Sequence, residues 1–443
     1  MEKKRKRFTR KISAWAFLLL FSFPWLRAEE PMTLEKAVAL ALSRNERSLA
    51  GSERLTVAQA RVAKARAFFF PQLTGTGTYT RRPFEVSRKI GETNIVIQSY
   101  NAFAGSVALN MILFDSQTIP GYRQAKAENS AEMYNVADLR RKLAFEVSTS
   151  FLMTLSQEQT AQAARHRLDF AGKNLEAARV RYNAGLVSVN DVTRAELEFA
   201  SAEQILTQLS GNRETAVLQL GYLLVSEIRA GRTVPDSLLG EAEMNPLAAS
   251  ALLPDAEKRR LDLQAMKFHV QALHFSMTQA TLKWFPSLSL VGSWRITNEA
   301  GLTGRPTNYS AGLSLSWALF DGFNRNADYR ERKALAHLAE LNMQAAKRNS
   351  RLELEDAVIS LTSQQAAIRQ AKVALDAAEK NIRETTELYR QGLGTALQVA
   401  DANARLFEAE VALVNARFGL GMAFLNLRAA EGKDPFGREV AVK

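Results

Sequence analysis

The sequence predicts a mainly α-helical chain that also carries part of a membrane β-barrel, assembled from one design used twice. Three observations carry that expectation. Residues 324–391 contain neither Pro nor Gly over 68 positions. Four shorter segments change from a repeat near 3.5 to a repeat of two, the period of a strand. The order of motifs in the first half returns in the second, with the tip motif displaced by 207 residues.

At the N-terminus, Lys3, Lys4, Arg5, Lys6, Arg7, Arg10 and Lys11 precede an apolar run from Ile12 to Leu26. Fifteen residues fall short of the ~20 that span a bilayer and suit the core of an export signal. Ala28 fits the last position before cleavage, while Leu26 is larger than the small residue usual at minus three, and an uncleaved anchor is the alternative. The full chain has a net charge of +12, but without residues 1–28 it keeps 50 Lys/Arg against 45 Asp/Glu. The basic balance therefore belongs mostly to targeting and gives little support to a nucleic-acid partner. The absence of Cys excludes a disulfide scaffold, a thiolate nucleophile, a Cys-based metal site and a lipid anchor on cysteine.

The long Pro- and Gly-free run predicts a helix of roughly 100 Å at 1.5 Å per residue. Its counterpart runs from about Tyr122 to Asn183 and is interrupted only by Gly172. Leu354, Leu361, Ile368, Leu375, Ile382 and Tyr389 recur every seven residues; the equivalent row is Val147, Thr154, Ala161, Leu168, Leu175 and Tyr182. After each Gly-Leu turn a second row alternates by three and four, from Val399 to Leu420 and from Val192 to Leu209. These are heptad seams, and their many alanines permit close helix approach. Each half thus holds an antiparallel helical hairpin with its tip at Gly185-Leu186 or Gly392-Leu393. The charged helices cannot themselves cross lipid.

The alternating segments lie at about 72–82, 103–114, 287–297 and 310–320. Leu73 and Tyr79, Val107 and Leu109, Leu290 and Trp294, and Leu313, Leu315 and Trp317 fall on one face of each. Thr, Ser and Asn dominate the other. About ten residues suit a tilted transmembrane strand with lipid on one side and water on the other. The alternative is two soluble hairpins packed face to face. A lipid-facing barrel leaves no edge open and needs at least about eight strands, so it must be shared: two chains give eight strands, three give twelve. The connecting loops, about Arg82 to Asn101 and Asn298 to Tyr309, would lie outside the cell. The expected divisions are an export signal (1–28), a first repeat (29–228), a Pro-bearing connector (229–256), a second repeat (257–430) and a C-terminal tail (431–443).

Several motifs occur in fixed order. They are Met32-Thr-Leu-Glu-Lys-Ala-Val-Ala-Leu-Ala-Leu-Ser-Arg-Asn45, the pairs Phe70-Pro71 and Phe285-Pro286, and Leu-Phe-Asp at 113–115 and 319–321. The tips read Arg181-Tyr-Asn-Ala-Gly-Leu-Val-Ser-Val-Asn-Asp-Val192 and Leu388-Tyr-Arg-Gln-Gly-Leu-Gly-Thr-Ala-Leu-Gln-Val399. In this arrangement the mature chain resembles the TolC-like outer membrane efflux protein family, the outer membrane factors. The resemblance implies a homotrimer, with a twelve-stranded barrel in outer-membrane lipid above a periplasmic tunnel of helical hairpins. The connector and C-terminal region would girdle that tunnel. It further implies a passive exit duct for tripartite efflux or type I secretion. A periplasmic adaptor (membrane fusion protein) would dock on Gly185, Leu186, Gly392 and Leu393, and an inner-membrane pump of RND or ABC type would supply the energy. For those glycines, plain turn geometry is an equally good reason. By the same resemblance Asp191, Tyr389 and Asp401 belong to a periplasmic gate. Here the first of the family's paired acidic positions is Gln398 and its basic position is Gly394, so a salt bridge from Asp191 to residue 394 cannot form. Asp401 would form a three-fold ring, or else be a solvated helix-face carboxylate.

No catalytic constellation is present: there is no Gly-x-Ser-x-Gly, no phosphate-binding loop and no His-Glu-x-x-His. His166, His269, His274 and His337 do not show a ligand spacing, and Gly75-Thr-Gly77 lies in a strand pattern without a following helix. The chain is expected to be no enzyme and to hold no cofactor or metal. The competing readings are a periplasmic coiled-coil adaptor or scaffold without a barrel, and a soluble exported enzyme.

Overall fold

A computed structural model describes residues 31–91, 93–228, 231–244, 249–299 and 305–442, so the expected export signal lies outside the described residues. Helix α1 (Leu34–Arg44) begins where the Thr33 hydroxyl accepts the Lys36 N–H. Asn45 ends it and starts α2 (Glu46–Ala67) by accepting the Arg47 N–H. Pro71 stops any continuation, and β1 (Gln72–Arg81) follows directly. β4 (Asn101–Phe114) leads into α3 (Thr118–Asn183), which turns at 184–188 into α4 (Val189–Leu224). The connector forms two short helices, α5 (Asp236–Met244) and α6 (Ala249–Arg259). The second half then repeats the order: α7 (Leu261–Leu282), β5 (Ser287–Thr297), β6 (Thr307–Ser316), α8 (Asn324–Arg390) and α9 (Ala396–Ala430).

The helix–strand boundaries are chemical. In Leu113-Phe114-Asp115 the Asp115 carboxylate accepts the Gln117 N–H at 2.9 Å, opening α3. In Leu319-Phe320-Asp321 the Asp321 carboxylate accepts the Arg325 N–H at 3.0 Å, opening α8. Helix α3 starts four residues before the expected Tyr122, with Pro120 in its first turn, where a missing N–H leaves no partner unsatisfied.

The strands pair antiparallel in the order β1-β4-β5-β6. Gly75, Val107, Trp294 and Tyr309 share one rung and Leu73, Leu109, Gly292 and Ala311 another, so the apolar positions line one face. On the other face Thr76 meets Ser106 at 2.6 Å and Ser293 meets Ser310 at 2.8 Å. Two expectations need correction. The last strand is Thr307–Ser316, not 310–320, because its ladder ends where β5 begins, at the pair Ser287–Ser316. The expected loop from Arg82 to Asn101 contains a separate hairpin, β2 (Val86–Ile90) and β3 (Thr93–Gln98), turned by Gly91 at φ +64°.

Helix order copies strand order. Toward the sheet, α2 packs on α3, α3 on α7 and α7 on α8; toward the tips, α4 packs on α3, α3 on α9 and α9 on α8. Four columns therefore stand side by side, each a strand continued by helix. Among the described residues β1 and β6, the outer strands, each lack a second partner. In the first seam Leu354, Leu361, Ile368, Ile382 and Tyr389 are buried as the heptad requires. The largest core gathers α1, α5 and the end of α9 around the middle of α3 and α8, with Leu34, Phe151, Leu239, Leu354, Phe418 and Leu425 at its centre. No described helix is long and apolar enough to cross a membrane.

Gly421 supplies a notch in this core: a Cβ there would stand 2.8 Å from Leu239 and 3.1 Å from Leu152. Gly421→Val should overpack the contact of α5 with α9 and destabilise the chain by about 1–3 kcal/mol. Thermal unfolding in detergent, followed by helical circular dichroism, should show a lower midpoint; an unchanged one would mean that α5 yields freely.

Candidate functional site: the paired hairpin tips

Both tips close by the same backbone device. At the first, the Gly185 N–H donates to Tyr182 O at 2.9 Å and the Leu186 N–H to Arg181 O at 3.0 Å, with Gly185 at φ +72°. At the second, the Gly392 N–H donates to Tyr389 O at 3.1 Å and the Leu393 N–H to Leu388 O at 2.9 Å, with Gly392 at φ +81°. This Schellman pairing satisfies the last carbonyls of α3 and α8 and requires a left-handed residue, which Gly provides. Leu186 is 74% exposed and Leu393 is 75% exposed. Val180, Val189 and Leu397 add to an apolar surface that nothing in the turn itself demands. Gly394 has a steric reason of its own, since a Cβ there would lie 3.0 Å from the Tyr389 nitrogen.

The helices leaving the tips start with matched capping boxes. The Asp191 carboxylate accepts the Ser188 N–H at 3.3 Å. Gln398, in the equivalent place, accepts the Thr395 N–H at 2.8 Å, and Thr395 accepts the Gln398 N–H at 3.3 Å. Asp191 and Gln398 thus share a local role that asks only for a side-chain acceptor.

Tyr389 and Tyr182, each three residues before its tip glycine, differ sharply. Tyr182 is 45% exposed, whereas Tyr389 is 6% exposed and packs with Ala396, Val399 and Phe170. Its buried hydroxyl has no hydrogen-bond partner among the described residues. Arg181, at the end of α3, covers the ring with its guanidinium carbon 4.5 Å from the centroid. The same guanidinium donates to Tyr389 O at 2.8 Å and Arg390 O at 2.9 Å. Further up, Asn403 donates to Arg167 O at 3.4 Å, Arg167 lies over the Phe407 ring and its guanidinium pairs with Glu198 at 2.9 Å. A cavity of 240 Å³ opens there between α3 and α9. Burial raises the Glu410 carboxyl beside it above its usual range; His166 opposes the shift and Glu379 adds to it.

Asp401 is exposed on α9 and lies 3.7 Å from Arg405, which is also 3.7 Å from Glu408. The three form a charged stripe away from the Ala402–Ala409 seam. Of the expected gate residues, only Tyr389 is brought into the contact between hairpins; Asp191 and Asp401 are placed in local interactions. His274 and His337 both pair with Glu340, at 2.8 and 3.4 Å, and no described cluster could hold a metal ion.

The profile of the outer membrane efflux protein family matches residues 37–224 and 252–433. The chain belongs to that family. It is 25% identical to nodulation protein T of Rhizobium leguminosarum bv. trifolii over 431 residues, covering 94% of this chain and 88% of that one. To the outer membrane protein TolC of Escherichia coli K12 it is 22% identical over 391 residues, covering 84% and 76%. The fold superposes on the outer membrane protein VceC of Vibrio cholerae with a TM-score of 0.76, at 18% identity and covering 90% and 96% of the two chains. The open state of the Neisseria gonorrhoeae MtrE channel gives 0.72 at 17% identity, covering 93% and 90%.

As an outer membrane efflux protein the chain is an outer-membrane channel and not an enzyme, which sets aside the adaptor, scaffold and soluble-enzyme readings. Sequence reasoning did not single out Arg181, whose partners are carbonyl oxygens on another hairpin and leave no mark on residue identity. Tyr389→Phe should stabilise the protein by about 1 kcal/mol, because it removes a buried hydroxyl that has lost water without gaining a partner. Denaturant titration checks this, and a loss of stability would show that the assembled protein supplies a partner.

Proposed function

We propose that the chain is one third of a passive exit duct. The observation that carries this reading is the four-stranded sheet with two open edges and one continuous apolar face. In lipid those edges must be paired, and three copies joined β6 to β1 make the twelve-stranded barrel that a membrane accepts. The columns then continue as a periplasmic helical tunnel. The matched lengths of α3 and α8, 66 and 67 residues, and of α4 and α9, 36 and 35, support a duplicated unit. Its divisions would be 29–228 and 257–430, with 229–256 and 431–443 in the girdle.

At the far end, exposed Leu186 and Leu393 beside rigid Schellman turns offer a periplasmic adaptor an apolar knob with a fixed backbone. An inner-membrane pump of RND or ABC type supplies the energy through that adaptor, since the chain has no nucleotide-binding motif of its own. The tips also form the gate, with Tyr389 between the hairpins, Asp191 at the start of α4 and Asp401 as a charged ring on α9.

Fractionation tests the membrane reading: the mature protein should leave the outer membrane only with detergent, and recovery from a detergent-free periplasmic extract would end it. Asp401→Ala should change single-channel conductance or block by multivalent cations in planar bilayers. An identical record would remove Asp401 from the gate. Gly392→Val places a β-branched residue at φ +81°, at a strain of about 1–3 kcal/mol with no neighbour to clash against. It should impair export while leaving membrane insertion intact; failure to assemble would make this glycine purely structural.

A further inference from the structure

We infer that Arg181 is the latch holding the two hairpin tips together, a role that rests on the gate reading above. Its guanidinium uses two N–H groups on two successive carbonyls at the C-terminus of α8, at 2.8 and 2.9 Å. Those carbonyls carry the negative end of the α8 dipole, so a cation forked across them is favoured by charge as well as by hydrogen bonding. The Tyr389 ring, buried against Ala396 and Val399, serves as the platform on which the guanidinium lies. Arg181 thus touches the helix end, the aromatic platform and, through its own backbone oxygen, the Leu186 N–H of the first tip turn. The two glycine turns are thereby held in one register.

The latch runs one way. The residue equivalent to Arg181 in the second half is Leu388, which is 47% exposed and offers no donor. Arg179, two residues earlier, pairs within its own hairpin with Glu196 at 2.8 Å. Nor does the latch use the Asp191 and Tyr389 side-chain polar groups: one caps its own helix and the other has no partner among the described residues. Arg181 therefore supplies the bond between hairpins that Gly394 cannot.

The chain has no cysteine, so pairs of spin labels can be placed without removing native residues. The parent for the test carries Leu186→Cys and Leu393→Cys, labelled and diluted with unlabelled full-length protein so that distances within one chain dominate. Arg181→Met, and as a second variant Arg181→Gln, should shift the distance distribution to longer and broader values. Arg179→Met, which removes a neighbouring guanidinium from the same helix, should leave it in place. Superimposable distributions for parent and both Arg181 variants would overturn the latch, as would equal broadening by Arg179→Met. In planar bilayers the Arg181 variants should also conduct more than the parent. Arg181 variants that insert but, like the parent, never conduct would count against the channel reading, while the distance measurement still decides the latch.

Discussion

A strand edge cannot stand in hydrocarbon with its N–H and C=O groups unpaired, and that requirement organises this chain from one end to the other. The sheet order β1-β4-β5-β6 leaves one edge at each side, and each strand passes into a helix within a few residues. Whatever pairs the edges must therefore also line up the helical columns. Asp115 and Asp321 each accept a backbone N–H at the start of the helices leaving the sheet, while Pro71 and Pro286 follow the ends of those entering it. Helix order follows strand order, so the arrangement set in the sheet is carried into the helices.

The helical part faces a different constraint. Helices of 66 and 67 residues must be held sideways, because length alone does not stabilise a helix in water. Alanine-rich heptad seams do this along most of the length, with Ala161, Ala178, Ala202, Ala402 and Ala409 buried between helices. Small side chains give close approach but little individual burial, so the seams are continuous rather than strong at any one point. The strong point is the belt around α1, α5 and α9, where large side chains such as Phe151 and Phe418 are fully buried. This belt thus anchors columns whose outer reaches are held more lightly.

Much of this was legible because it is periodic. Leu354, Leu361 and Ile368 announce their burial by spacing alone, and Gly185 and Gly392 announce turns. What escaped has a common cause. In the hairpin β2–β3 the side chains of residues 86–89 and 96–98 are exposed, so these stretches show no alternation between a buried and an exposed side. The expected end of the last strand overran because β6 stops for want of a partner, not for want of pattern. At the tips, Ser188-x-x-Asp191 is a readable capping box, and that local demand accounts for Asp191 before any gate is invoked. Arg181 could not be placed at all, since its acceptors are backbone atoms 208 and 209 residues away.

Helix α3 carries a second arginine that grips the other end of the same hairpin, and the surroundings of the two arginines differ. Arg141 donates to Ala429 O at 2.9 Å, capping α9 as Arg181 caps α8. The two lie forty residues apart on one helix, about 60 Å at 1.5 Å per residue. Arg141 is 6% exposed, pairs with buried Asp138 at 2.8 Å, and stands near Asp262, which Arg260 joins to the α8 residue Glu353. Burial alone would raise the Asp262 carboxyl, but hydrogen bonding and charge from Arg260 outweigh it and hold it below its usual range. Breaking one member of such a cluster strands a buried charge. The backbone there is equally tight: a Cβ on Gly432 would stand 2.9 Å from residues 259 and 260, whereas none on Gly185 or Gly392 would meet anything within 4 Å. Of the acceptors gripped by Arg181 one is exposed, whereas the Arg141 bond is part-buried beside an ion pair that is itself buried. The second hairpin is therefore held by a buried charge cluster at the end of α9 and by a single guanidinium at its tip, a difference on which the proposed gate at the tips would draw.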